Sequence, residues 1–265
     1  MKKIEGLALV LASIFILGAC SAGETEEAAE NADVVVGLDD TFVPMGFRDD
    51  DGNLTGFDID LATAVFELND TEVAFQPIDW SMKETELKNG TIDMIWNGYT
   101  QTPEREEDVA FSESYMGNTQ LLVTAKDSQI NSTEEMDGKV LGAQEGSSGY
   151  NSFTQETEVL KDRVQGEDAT LYDSFNEAFI DLENGRIDGL LIDRVYAEYY
   201  LRQNDQTDDF NLVETPFEEE DFAVGVRKDD EELLQEINDG INELQENGEL
   251  AEISEKWFGE DVSSD

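Results

Sequence analysis

The side chains whose types and spacing could do chemistry are Thr100 with Arg105, Ser147 with Ser148, and Asp193. Their chemistry is the pairing of opposite charges. Ile92-Asp93-Met94-Ile95 reads as a buried strand that runs through Trp96-Asn97-Gly98-Tyr99 into a polar turn. Thr102 then suits a helix N-cap and Pro103 the first helical position. Arg105 falls in that first turn, where the helix dipole disfavours a cation unless an anion joins it. Ligands of open α/β sheets sit just beyond the carboxyl ends of strands. There Thr100 offers a hydroxyl and an amide, and Arg105 a planar fork suited to a carboxylate. The same spacing also fits a capped helix with a surface arginine paired to Glu106, Glu107 or Asp108. Glu145-Gly146-Ser147-Ser148-Gly149 opens a helix whose free amides make an anion site, or whose serine is a plain cap.

Asp193 enters through an internal echo. Leu87-Lys88-Asn89-Gly90-Thr91-Ile92-Asp93-Met94-Ile95 is matched by Leu182-Glu183-Asn184-Gly185-Arg186-Ile187-Asp188-Gly189-Leu190. Both read as a helix end, a glycine cap and a buried strand. In register Gly98 corresponds to Asp193, so Asp193 also emerges at a strand's carboxyl end. Two similar lobes facing each other would set Arg105 and Asp193 on opposite walls of one cleft. An ion pair with Arg194, or a cap for the helix through Tyr196, Tyr199 and Tyr200, are the other uses of this aspartate.

The elements that must position these groups alternate in type. Val34 to Leu38 is a strand by its β-branched content, Asp58 to Leu68 a helix by the spacing of Ile59, Ala62, Val65 and Phe66, and Val73 to Ile78 a strand. The acidic Asp49-Asp50-Asp51-Gly52-Asn53 fits a hairpin turn better than a calcium loop, because aligning Gly52 with the loop glycine puts Phe47 at the first ligand position. A second unit runs from Gln120 through the strand Lys139 to Gln144 and the echo to Asp193. Such alternation predicts an α/β fold of mostly parallel sheets with flanking helices. Residues 119–125 and the stretch Phe210 to Arg227, with its acidic run Glu218 to Asp221, give two crossings between lobes. Leu233, Ile237, Ile241, Leu244, Leu250 and Ile253 mark closing helices broken at Asn247-Gly248.

Composition excludes several functions. Acidic residues outnumber basic ones 64 to 16, so the surface repels nucleic acid and anionic lipid headgroups. With 39% hydrophobic residues and 9% aromatics the chain has a core, and the acids, spread along its length, suit high salt or high pH outside the cell. Its melting temperature is therefore expected to rise with salt concentration; a flat or falling dependence in a thermal melt counts against that reading. The absence of histidine removes the commonest general base, the usual zinc ligand and the usual serine-hydrolase triad, and no cofactor or metal is expected. Lys2, Lys3 and the apolar run Leu7 to Leu17 read as a signal peptide over residues 1–19, too short for the ~20 residues of a membrane span. Leu17-Gly18-Ala19-Cys20 resembles the bacterial lipoprotein processing box. This implies lipid on Cys20, attachment to the outer face of the cell membrane, and an acidic tether over residues 20–33.

Assembled, the chain resembles the polar amino acid-binding lipoproteins of ABC import systems, solute-binding protein family 3, with a type II periplasmic-binding-protein fold. The resemblance spans roughly residues 34–260. It rests on Gly37-Leu38-Asp39-Asp40-Thr41-Phe42, Gly56-Phe57-Asp58-Ile59-Asp60-Leu61-Ala62, Ile92 to Arg105, Phe111-Ser112-Glu113-Ser114-Tyr115, Gly146 to Gly149 and Ile187 to Asp193. It implies one lobe from residues 34–121 and 222–265 and another from 122–221, joined by two hinge crossings. It further implies that Arg105, helped by Thr100, Ser147 and Ser148, takes an amino acid's α-carboxylate, and that Asp193 with the Gly98 carbonyl takes its α-ammonium. Phe42 and Trp80 would flank the side chain and Asp39 meet its polar or cationic end. The implied partners are an ABC permease and ATPase, with the chain a monomer. The alternative on this fold is a dehydratase of cyclic amino acids of the arogenate or prephenate type, with Glu113 or Asp39 as acid/base. A receptor's sensory domain is a third possibility, and it lacks a membrane span after residue 20.

Overall fold

The computed structural model describes residues 32–263. The expected leader, Cys20 and nearly all of the tether therefore lie outside the described residues. In chain order the first half comprises β1 (Val34–Leu38), β2 (Thr41–Phe42), β3 (Gly46–Arg48), β4 (Leu54–Thr55), α1 (Phe57–Glu67), β5 (Val73–Pro77), α2 (Lys83–Asn89), β6 (Met94–Ile95), β7 (Val109–Phe111) and β8 (Met116–Asn118). There follow β9 (Gln120–Ala125), β10 (Leu141–Gln144), α3 (Ser148–Gln155), β11 (Ala169–Tyr172), α4 (Phe175–Glu183), β12 (Gly189–Asp193), α5 (Arg194–Gln203) and β13 (Phe210–Glu214). The chain closes with β14 (Glu220–Phe222), β15 (Gly225–Arg227), α6 (Glu231–Asn247) and α7 (Glu249–Phe258).

Two five-stranded sheets result, in the orders β5-β1-β6-β15-β7 and β11-β10-β12-β9-β13. In each, four strands run one way and one runs against them, β15 in the first sheet and β9 in the second, each directly after a crossing. The crossings themselves pair as an antiparallel ribbon, β8 with β14, in the register Asn118 with Glu220 and Met116 with Phe222. This is the two-lobed α/β architecture that the alternation of elements implied.

The echo has one structural meaning in both lobes. Gly90 and Gly185 end their helices at φ 75° and 64°, the left-handed region that favours glycine. Asp93 then accepts the Val35 amide at 2.9 Å while donating its own amide to the Val35 carbonyl. Asp188 does the same with Val140 at 2.8 Å. Each aspartate clips the returning strand to its neighbour and fixes where the strand's carboxyl end emerges. The acidic turn at Asp49 joins β3 to β4 as a hairpin, its carboxylate accepting the amides of Asp51 and Asn53.

One expectation needs correction. Thr102-Pro103 does not open a regular helix: only a 3-10 turn forms, over Arg105–Glu107. Thr102 still caps, its hydroxyl accepting the Arg105 amide at 3.2 Å. However, β7 must begin at Val109 to pair with β15, which leaves no length for more turns.

The lobes pack on apolar cores, and α6 crosses α1 through Gly240. A Cβ there would sit 2.6 Å from Val65 Cγ1, and Val65 is a β-branched side chain that cannot swing aside. Gly240→Ala gains up to ~1 kcal/mol of helix propensity, but overpacking at such a contact costs about 1–3 kcal/mol. We expect net destabilisation, read as a lower urea midpoint; a higher midpoint would show that the helices separate freely.

Candidate functional site

The carboxyl ends of β1, β6, β10 and β12 point at one another across the gap between the sheets. Eight of the nine residues singled out in the sequence line one narrow cavity there: Phe42, Trp80, Gly98, Thr100, Arg105, Ser147, Ser148 and Asp193, joined by Gln144. Its volume is about 10 Å³, far below the ~300–1,000 Å³ usual for small-molecule pockets. The lobes are shut on it. Bonds crossing the gap include Gln144 Nε2 to Asp39 Oδ2 at 2.8 Å, Thr100 Oγ1 to Ser148 Oγ at 3.1 Å, and Lys83 Nζ to the Gly146 carbonyl at 2.9 Å.

Arg105 lies over Tyr99, its guanidinium carbon 4.5 Å from the ring centre. Tyr99 is braced by Phe111, stacked at 5.2 Å, and by Trp80, edge-on at 5.9 Å. Nη1 donates to the Thr100 carbonyl at 2.7 Å and Nη2 to the Gly146 carbonyl at 3.1 Å, with Glu84 3.9 Å from Nε. None of Glu106, Glu107 or Asp108 takes the surface ion pair that the spacing allowed. The fork is aimed by carbonyls at the strand ends of both lobes.

Asp193 stands at the N-cap of α5 but its side chain makes no cap hydrogen bond, and it does not pair with Arg194, which instead reaches Glu198, Glu214 and Thr119. Its Oδ1 accepts Asn118 Nδ2 at 2.6 Å and Gln120 Nε2 at 2.8 Å. Burial, and then the nearby Glu220 carboxylate, raise its pKa well above the ordinary range. Asp39 stands one bond behind the cavity wall. Thr41 donates its amide and hydroxyl to Oδ1 at 2.9 and 2.6 Å, Gln144 holds Oδ2, and burial again pushes the pKa up.

Gly98 is held by Asp58, which accepts its amide at 2.7 Å and the Tyr115 hydroxyl at 3.0 Å. Burial pushes the Asp58 carboxyl up to about 7. At φ 55°, Gly98 has Phe42 and Phe222 against it, so a Cβ would meet Phe42 Cε1 at 2.9 Å. Phe42 in turn reaches across to Phe175 and Tyr196 of the other lobe, at 5.9 and 5.6 Å. Ser147 is the cap of α3, accepting the Tyr150 amide, so its plain structural use is realised. Ser148 instead turns its hydroxyl into the cleft.

Sequence reasoning missed Gln144, Lys83, Asn118, Gln120 and Glu220. Gln144 ends β10, so the rule that found Thr100 could have found it. Asn118 and Gln120 sit two apart on an extended crossing, a spacing that puts them on one face. Lys83 is 2% exposed, its ammonium bonded to the Trp80 and Gly146 carbonyls and its pKa pushed down to about 8 by burial and then by Arg105. Nothing in its neighbourhood in the chain signalled that. Of the two candidate acid/base groups, Glu113 is an exposed side chain bonded to Asn242, away from the cavity, and both oxygens of Asp39 are engaged. Among the described residues, no cluster of three or more metal-ligating side chains occurs, and no helix is long and apolar enough to cross a membrane.

The model of the bacterial extracellular solute-binding proteins, family 3, matches residues 34–260. The L-cystine-binding protein TcyJ of Escherichia coli (strain K12) is 31% identical over 265 residues, covering 99% of this chain and 96% of that one. The arginine-binding extracellular protein ArtP of Bacillus subtilis (strain 168) is 30% identical, covering 97% and 98%. An ABC uptake transporter substrate binding protein from Streptococcus pneumoniae, solved with bound histidine, is 53% identical with a TM-score of 0.88, covering 92% of this chain and 100% of that one. These relatives carry names of binding proteins, not of enzymes. On the strength of that match and of these full-length relatives, the chain belongs to the bacterial extracellular solute-binding proteins, family 3.

Proposed function

We propose that this chain captures an amino acid between its lobes outside the cytoplasm and delivers it to an ABC permease when the lobes close. The observation that carries this reading is a single cavity with Arg105 on one side and Asp193 on the other. A zwitterion bears two opposite charges, and both must be paired when it leaves water. Opening would carry the Gly146 carbonyl away with its lobe and free Nη2 of Arg105 for the ligand's carboxylate. Thr100, Ser147 and Ser148 add hydroxyls and amides, and the Asp193 carboxylate takes the ammonium with the Gly98 carbonyl. Phe42 and Trp80 flank the side chain, while Asp39 and its partner Gln144 face the far end.

The ligand in this reading is a polar amino acid with a cationic side chain. The acids of the cleft support that, as do relatives named for arginine and histidine, although others are named for cystine. The rest of the transport reading includes a lipid anchor on Cys20 at the outer face of the cell membrane, a permease with its ATPase as partners, and a monomeric chain. Its lobes comprise residues 34–121 with 222–265, and 122–221.

Thermal-shift screening against the common amino acids tests it. A ligand at 100 times its Kd stabilises by ~2.7 kcal/mol, a clear rise in melting temperature. A response to arginine, lysine or histidine is expected. A response to glutamate alone would sink the cationic preference, and no response to any amino acid would sink capture itself.

A further inference from the structure

Glu220 is a carboxylate that the roles above leave unused, although it reaches the cleft. It opens the second crossing within an acidic run and is half-buried, whereas Glu218 and Glu219 beside it are exposed. Its Oε2 lies within hydrogen-bond reach of four donor groups: Gln120 Nε2 at 2.9 Å, Asn118 Nδ2 at 3.0 Å, Ser148 Oγ at 3.2 Å and Thr100 Oγ1 at 3.3 Å, the last sharing its one proton between Glu220 and Ser148. The donors come from both lobes and from the first crossing. Two of them, Asn118 and Gln120, also donate to Asp193 Oδ1. Sharing both amides keeps the two carboxylates side by side, and amide dipoles do not cancel two negative charges. A cation between them does.

The charge balance of the cleft points the same way. Asp39, Asp193, Glu220 and Glu84 are acidic there, Glu84 lying 3.3 Å from Lys83 Nζ and 3.9 Å from Arg105 Nε, and Arg105 and Lys83 are basic. With two more acids than bases, a neutral zwitterion leaves that excess whole, whereas an amino acid with one net positive charge halves it. Burying an unmatched charge is costly.

We propose that Glu220 is a specificity-determining residue: with Asp193 it brackets the ligand's α-ammonium, and its charge makes the cleft prefer a cationic amino acid to a neutral one of the same shape. This rests on the amino acid-capture reading. L-arginine and its neutral isostere L-citrulline are the probes, titrated calorimetrically into the wild-type chain, Glu220→Gln and Glu219→Gln. The wild type is expected to favour arginine by more than about tenfold, and Glu220→Gln to narrow that ratio by about tenfold, the scale of one close charge pair. Glu219→Gln, the same charge change on an exposed neighbour, should leave the ratio alone. The inference is overturned if Glu220→Gln weakens both ligands equally, which is a structural role, or tightens both, which makes Glu220 an internal competitor. A wild type that binds citrulline as well as arginine overturns it whether or not the variant folds. Wild-type binding of any other amino acid without arginine overturns it and leaves capture standing; binding of no common amino acid overturns both.

Discussion

Asp193→Ala is expected to remove measurable amino acid binding while leaving a folded protein. Truncating one partner of a desolvated charge pair costs about 2–5 kcal/mol, which is roughly thirtyfold to several thousandfold in Kd. Folding should survive for a reason the site itself supplies. Burial raises the pKa of Asp193 above its unfolded value. Its contribution to stability is therefore greatest at low pH and is lost as pH rises through the folded value. Near neutral pH the variant gives up a strained buried charge, and Asn118 and Gln120 keep Glu220 as an acceptor. Protonation should imitate the substitution: as pH falls through that raised range the empty cleft carries a neutral carboxyl, which must shed its proton to take an ammonium. Wild-type affinity is expected to weaken toward tenfold per pH unit on that limb. An unchanged calorimetric Kd for Asp193→Ala, or a wild-type Kd indifferent to pH between 5 and 8, refutes the assignment.

What the sequence disclosed was whatever its own repeats and periods encode. The doubled Leu-x-Asn-Gly-x-Ile-Asp stretch disclosed two equivalent units, because its glycine and aspartate act on backbone close by in the fold. The symmetry extends further than the motif. A Cβ on Gly37 would strike Ile92 Cδ1 at 2.4 Å, and one on Gly142 would strike Ile187 Cδ1 at 2.5 Å. In both lobes the isoleucine of the repeat thus presses on a glycine of the neighbouring strand. Placing Asp193 opposite Arg105 needed only that register and the two crossings.

Side chains whose partners come from far along the chain were not legible. Lys83 reads as an ordinary helix-start lysine until its ammonium meets the Gly146 carbonyl, 63 residues away. Glu220 reads as one acid of a solvated run until the crossing turns it toward Thr100 and Ser148. The helix expected after Pro103 failed for a related reason, since local capping signals were correct but the demand of β7 for a place beside β15 outweighed them. Local chemistry chose the cap, and sheet pairing chose the length.

Arg105→Ala should match Asp193→Ala in lost affinity and differ from it in shape. Without the guanidinium the ligand's carboxylate enters a dry cleft with only hydroxyls and amides to meet it, and ~2–5 kcal/mol is again the expected loss. Arg105→Lys should recover little, because a single ammonium cannot reproduce a fork that is fixed on Tyr99 and aimed by the Thr100 carbonyl. The difference lies in the empty protein. Arg105 is one of two cations of the first lobe that grip the Gly146 carbonyl of the second, the other being Lys83, whereas the bonds of Asp193 run to the first crossing. Losing Arg105 should therefore shift the ligand-free chain toward the open state, seen as a larger radius of gyration in small-angle scattering, while Asp193→Ala leaves that radius near the wild-type value. Equal radii for the two variants would remove Arg105 from the closure mechanism, and an Arg105→Ala protein that still binds with wild-type affinity would remove it from the site.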